Sequence, residues 1–274
     1  MIEETPGSLN ALLETMRKLS CMLGSLLAIF VITVSNYAGD QLPATNDDLV
    51  GRARDSYYSL AKKGFKGFTA TVEPNWKVIL GQTATAENLK VFRAVRFSMV
   101  VDADGVATVH YKVDANADKP ELQSFVKRIH YDLERLVVGF FNTWRALMVG
   151  SPFPETDRPI KIENAGNQQR LFYTTQSGAL MIMMTEGFLI TEWTLAGATA
   201  KRTIKPQFRN TRDGFLLTGY QGVFEPIGDG IKTTLNFGIE YHDVSGLKLP
   251  HKVRFSGMHG TEPVESELTF KVKP

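Results

Sequence analysis

An α+β fold, in which one large antiparallel sheet is packed by a long helix, is what the sequence predicts, and three observations carry that reading. From Ile160 onward, short stretches of apolar–polar alternation follow one another with no helical period between them. Their connections carry Glu186-Gly187, Asp213-Gly214, Asp229-Gly230, Ser245-Gly246 and His259-Gly260; links this short leave no room for crossover helices, so successive strands run antiparallel. Before them, Leu122, Phe125, Val126, Ile129, Leu133, Leu136, Val137, Phe140, Phe141, Trp144, Leu147 and Met148 recur at steps of three and four, the mark of a helix with one apolar face.

The chain divides into an N-terminal extension with a signal peptide over residues 1–39 and a single domain over residues 40–274. Met16-Arg17-Lys18 precedes an apolar run from Met22 to Val34, then small and polar residues around Ser35, Ala38 and Gly39. The run falls short of the roughly 20 residues that a membrane-spanning helix needs, so translation is expected to start at Met16 and cleavage to fall between Ser35 and Asp40. A retained anchor is the alternative. The mature chain would be periplasmic. The one cysteine, Cys21, would leave with the signal, so disulfide and thiolate chemistry are not expected. Formal charge moves only from +2 to (31−2)−(29−3) = +3, too mild to suggest nucleic acid.

Thr45 with Asp48 three residues later, followed by Leu49, Ala53, Tyr57 and Leu60, reads as a capped amphipathic helix. It should end at Lys62-Lys63, with Gly64 leaving in the left-handed conformation. A strand over Phe65 to Val72 follows, with Phe68, Ala70 and Val72 on one face, then a short helical turn at Trp76 to Leu80. Val95–Val101 and Val106–Val113 flank Asp102-Ala103-Asp104-Gly105, a strong hairpin signal. The long helix comes next, with Asp118 as N-cap, Pro120 in its first turn, and Gly150-Ser151-Pro152 as its stop.

Nine strands are expected after it: Ile160–Glu163, Arg170–Thr175, Leu180–Thr185, Phe188–Leu195, Ala200–Phe208, Phe215–Phe224, Ile231–Tyr241, Lys248–Phe255 and Glu265–Val272. The clearest alternates Ile231, Thr233, Leu235, Phe237, Ile239 and Tyr241 with polar residues. In Leu180-Met181-Ile182-Met183-Met184 both parities are apolar, so that strand should be covered on both faces. Its methionines suit either core packing or a wall facing variable apolar ligands. The long helix has the same two readings.

Catalytic signatures are missing from the sequence: there is no G-x-S-x-G elbow, no Gly-rich phosphate loop, no H-E-x-x-H and no cysteine pair. The five histidines, His110, His130, His242, His251 and His259, show no metal spacing, and Glu186, Glu192 and Glu240 flank turns or alternate outward. No catalytic residue, metal or cofactor is therefore assigned. Lys201, Arg202, Lys205, Arg209 and Arg212, around Pro206, read as a solvated basic loop, or as a surface for lipid headgroups or an acidic partner.

The capped N-terminal helix, the strand after Lys62-Lys63-Gly64-Phe65, the meander, and the segment Ile239-Glu240-Tyr241-His242-Asp243-Val244-Ser245-Gly246-Leu247-Lys248-Leu249-Pro250-His251-Lys252-Val253 together resemble the LolA-like family of periplasmic outer-membrane lipoprotein carriers and their relatives. The late strand, Gly-containing turn, Leu-Pro and second strand at Val244–Phe255 match that family's pattern. The resemblance implies a curved antiparallel incomplete β-barrel, with an N-terminal helix and a long helix plugging the concave face over an apolar cavity. On this chain the cavity would be lined by Phe68, Ile129, Leu133, Val137, Phe140, Trp144, Ile182, Met184, Trp193, Phe237 and Ile239. It further implies a non-enzymatic carrier whose partner is a lipid or acylated lipoprotein and which makes transient membrane contact. An envelope interaction or stress-sensor module, docking a protein partner on the same fold, is the alternative. A hydrolase ranks third.

Overall fold

The computed structural model describes residues 45–113, 120–154, 159–175 and 177–273. The signal-like segment and Asp118 lie outside these residues. In chain order the elements are α1 (Thr45–Asp55), a 3-10 turn (Ala61–Lys63), β1 (Phe68–Pro74), α2 (Trp76–Leu80), α3 (Ala86–Arg93), β2 (Val95–Val101), β3 (Ala107–Val113) and α4 (Pro120–Met148). Nine strands follow: β4 (Lys161–Ala165), β5 (Gln168–Thr175), β6 (Gly178–Thr185), β7 (Ile190–Ala196), β8 (Ala200–Thr211), β9 (Gly214–Pro226), β10 (Thr233–Val244), β11 (Leu247–His259) and β12 (Glu262–Val272).

All twelve strands form one antiparallel sheet in the order β3-β2-β1-β12-β11-β10-β9-β8-β7-β6-β5-β4. Each strand lies beside its sequence neighbour, except that β1 pairs with β12, with Ala70 opposite Val272. The sheet is open between β3 and β4, and α4 is the connection across that opening. Laid flat, twelve strands spaced about 4.8 Å apart would be roughly 50 Å wide, whereas a helix with its side chains is about 10–12 Å across. Yet Ala70 on β1, Ile182 on β6, Leu217 on β9 and Phe270 on β12 are all buried in one core with α4. The sheet therefore curls around the helix.

Local chemistry explains most of the elements. The β2–β3 hairpin turns as expected, with the Asp102 Oδ1 carboxylate accepting from the backbone N–H of Asp104 and of Val106, both at 2.9 Å. Gly105 closes the turn at φ 78°, and a Cβ there would lie 2.6 Å from Cβ of Arg145, so glycine permits both the turn and the approach of α4. On α4, Ile129, Leu133, Leu136, Val137, Phe140, Phe141, Trp144, Leu147 and Met148 are buried, so the described part of the apolar face is covered.

Several elements depart from the sequence reading, each for a tertiary reason. Helix α1 stops at Asp55, because Tyr57 leaves it to form a parallel bridge to Phe215. The Tyr57 hydroxyl donates to the Phe188 carbonyl and accepts from the Ile190 N–H, each at 2.7 Å, fastening the segment to the β6–β7 turn. Gly64 does leave the following 3-10 turn left-handed, at φ 77°. Helix α3 has no signal in the sequence reading above. The basic stretch is strand and not loop: Lys201, Lys205 and Arg209 point outward along β8, with Pro206 opposite Tyr220 just before a bulge at Gln207/Phe208. Arg202 lies half-buried over the Phe224 ring. In β6 only Leu180, Ile182 and Met184 are buried, while Met181 and Met183 are half-buried, so that strand is not fully covered on both faces. Ile231 precedes β10 and is 54% exposed, outside the face expected to include it.

Candidate functional site

The interior is densest where the second half of α4 meets the sheet. Phe140 stacks near-parallel on Phe237 of β10 and Phe270 of β12, with centroids 6.2 and 6.3 Å apart. Phe141 packs edge-on against Phe270 at 5.6 Å and lies 6.1 Å from Phe68 of β1. Trp144 meets Phe65 at 6.2 Å and Phe141 at 5.3 Å. Val137 and Ile239 are buried in this core as well. Ile182, Met184 and Trp193 are buried in the same core, with Ile182 opposite Trp193 in the β6–β7 register.

Open space lies in two places: an open recess of about 380 Å³ on the sheet, with Phe237, Tyr220, Gln207 and Arg254 in its lining, and a smaller one toward the start of α4. A cavity of about 30 Å³, room for a water or two, lies among α2, α4, β11 and β12. Of the expected wall, Ile129 and Leu133 line it. Trp76, Ile79, Leu136, Phe255 and Val264 complete the apolar lining, and Asp132, Glu265 and Ser266 supply its polar atoms. The sequence reading missed Trp76 and Ile79 because α2 is a single turn, too short to show periodicity. The α2 turn is held there by the Asn75 side chain, which accepts from the Val78 N–H and donates to Glu267 Oε1.

Within the packed part, polar tips face one another. Thr143 lies beside the Tyr220 hydroxyl and the Trp144 indole beside the Tyr241 hydroxyl. All four polar atoms are buried, and none closes a hydrogen bond of normal geometry among the described residues. Burial pushes both phenols well above their ordinary pKa; the adjacent Thr143 and Trp144 pull the other way. Periodicity counts Tyr220 and Tyr241 as core residues, so only their placement in space reveals this seam.

The outer face carries ion pairs. Arg254 bridges Glu240 and Glu267, each at 2.7 Å. The hydrogen bonds from Asn75 and Arg254 hold Glu267 below the usual carboxylate range. Glu192 faces Lys205 at 3.9 Å. A carboxylate held ionised by a guanidinium is a poor general acid. Among the described residues, no three His, Cys, Asp or Glu side chains come together as a metal site would require.

Comparison of the chain with protein-family models, curated proteins and solved structures returns no match.

Proposed function

We propose that this chain is a non-enzymatic periplasmic carrier or binding protein for a lipid or lipoprotein acyl chain, built as an incomplete LolA-like barrel with α4 as its plug. The observation that carries the reading is the position of α4. It spans the interior of an open, curled sheet as the link between the two unpaired edge strands, with an apolar cleft alongside. A helix bonded into no ladder can withdraw without breaking the sheet. The cavity of about 30 Å³ is far smaller than an acyl chain, so loading at that place requires that withdrawal. Native mass spectrometry of the protein after mild extraction, followed by titration with acyl probes, tests the proposal. Repeated recovery without lipid, together with no affinity for any acyl probe, sinks it.

The outward row Lys201, Lys205 and Arg209 on β8 favours a second reading, an envelope module that docks an acidic partner protein. Charge reversal along β8 would then abolish a specific crosslink while leaving acyl binding intact.

A further inference from the structure

Gly238 has no reason to be glycine in the fold alone. It lies in the middle of β10, where a residue without a side chain weakens the strand and packs nothing. Its backbone is not left-handed, and a Cβ built there would meet no atom within 4 Å. Gly219, opposite it on β9, is different: a Cβ there would lie 2.4 Å from the Phe237 carbonyl oxygen, so the close approach of two strands requires it. A strand glycine that neither its own conformation nor its neighbours require marks a place where something from outside the chain comes close to the backbone.

That place is the open recess of about 380 Å³, within the range of small-molecule sites. Register puts its polar lining on one outward face, alternating with the buried Phe237, Phe255 and Ser266. Gly238 lies opposite Arg254, and Arg254 opposite Glu267; one step along, Asn236 lies opposite Ser256, and Ser256 opposite Glu265. Gln207, opposite Gly219, closes the far side. This lining excludes three kinds of ligand. An anion finds no spare cation, because Arg254 is bound by Glu240 and Glu267, each at 2.7 Å, and Glu265 adds a further negative charge. A cation finds Glu267 already bonded by Asn75 and Arg254, and Glu265 exposed to water and salt. A hydrocarbon would strip water from these groups and return no hydrogen bonds. What remains is a neutral molecule whose groups both donate and accept, which is the property of hydroxyls. The Gln221 amide donates to Asn236 Oδ1 at 3.0 Å, so the Asn236 N–H groups are left to donate, while Ser256 and Gln207 do either. We infer that this recess binds a neutral sugar ring, with its C–H face on the bare backbone at Gly238 and its hydroxyls bonded to Asn236, Ser256, Gln207 and the Arg254–Glu267 pair. The recess lies on the face of the sheet away from α4, so this site stands or falls apart from the carrier reading.

The test uses the full chain with nitrogen-15 labelling and follows the Gly238 backbone amide and the Asn236 and Gln207 side-chain amides by NMR. The probes are the methyl glycosides of glucose and N-acetylglucosamine, the matching β-linked trimers cellotriose and chitotriose, and, as charged controls, citrate and putrescine. At least one sugar should shift these signals saturably, and neither control should. A trimer bound more tightly than its monomer identifies a glycan chain as the source; equal affinity identifies the free sugar. In Gly238→Val the side chain fills the floor of the recess, and sugar affinity should fall at least about tenfold. The melting temperature should stay level or rise, because valine suits a strand and its Cβ meets no neighbour. A marked fall in melting temperature, or failure to fold, would show that the fold itself requires Gly238 and overturns the inference. Sugar binding that survives Gly238→Val overturns it too. So do shifts with citrate or putrescine but with no sugar, and the lack of any shift with all six probes.

Discussion

Replacing Phe140 by alanine separates a filled interior from a pre-formed ligand chamber. The ring is 2% exposed and is packed between Phe237 and Phe270, with Phe141 edge-on at 5.0 Å. Loss of its burial removes about 1.5–3 kcal/mol of transfer free energy. The hole left behind adds about 24 cal/mol per Å³ of volume that the neighbours fail to fill, and the two rings on either side belong to different strands and cannot easily close it. The total expected is about 3–5 kcal/mol. Urea unfolding followed by tryptophan fluorescence should show the midpoint falling by roughly 1–3 M with the slope unchanged. A loss under about 1 kcal/mol would mean that free space already borders the ring, and would refute the argument that the chamber opens only when α4 moves.

Three further outcomes follow from single contacts. Tyr57→Phe should destabilise by about 1–3 kcal/mol, since it strands the buried N–H of Ile190; the same chemical change at Tyr220 should cost nothing, so comparing the two melts checks the assignment of partnered and unpartnered phenols. Gly105→Ala forces a left-handed alanine, about 1–2 kcal/mol, and presses its Cβ onto Arg145, so a combined loss of about 2–4 kcal/mol is expected in the same urea assay. The His259 ring is buried and bonded through Nδ1 to the Thr233 hydroxyl at 2.8 Å, and burial lowers its pKa, with Glu262 partly opposing. Because the folded value lies below the unfolded value near 6.5, the unfolded chain takes up the proton first on acidification. This contribution is complete above about pH 6.5 and is lost as pH falls through the folded pKa. His259→Gln should flatten the dependence of the urea midpoint on pH between about 7.5 and 5.5, and an unaltered slope would show that His259 is not the group responsible.

Much of the sheet was legible because its signals are local. The strands after Ile160, the Asp102–Gly105 turn and the apolar face of α4 all show within a few residues of sequence, and the structure places strands at each expected stretch. What escaped depends on distant partners. The end of α1 is set by Phe215, far along the chain, and no local residue announces it. Helix α3 buries Leu89 and Phe92 at a spacing of three, too short a pattern to stand out over eight residues. For the candidate site, the sequence marked α4 as the interior helix and spread the apolar wall along its whole stripe, from Ile129 to Trp144, whereas aromatic rings pack against one another around Phe140 and Trp144. The cavity formed near Ile129 and Leu133, because α2 holds Trp76 and Ile79 there, and helical periodicity cannot tell a filled stretch of a stripe from an unfilled one.

The pairing of β1 with β12 has a consequence for how the molecule is made. As the chain emerges, the β2–β3 hairpin and the long meander from β4 can each zip by nearest-neighbour contacts, which form quickly. They cannot join until β12 arrives, because it alone bridges β1 to β11. Until that moment the nascent protein is a three-stranded and an eight-stranded sheet tethered by α4. Closing the gap between Ala70 and Val272 is the slow, non-local step. The interval before it is when the chain is most exposed to aggregation and most dependent on a chaperone. A substitution that weakens β12 should therefore lower the yield of folded protein well before it lowers the stability of the protein that does fold.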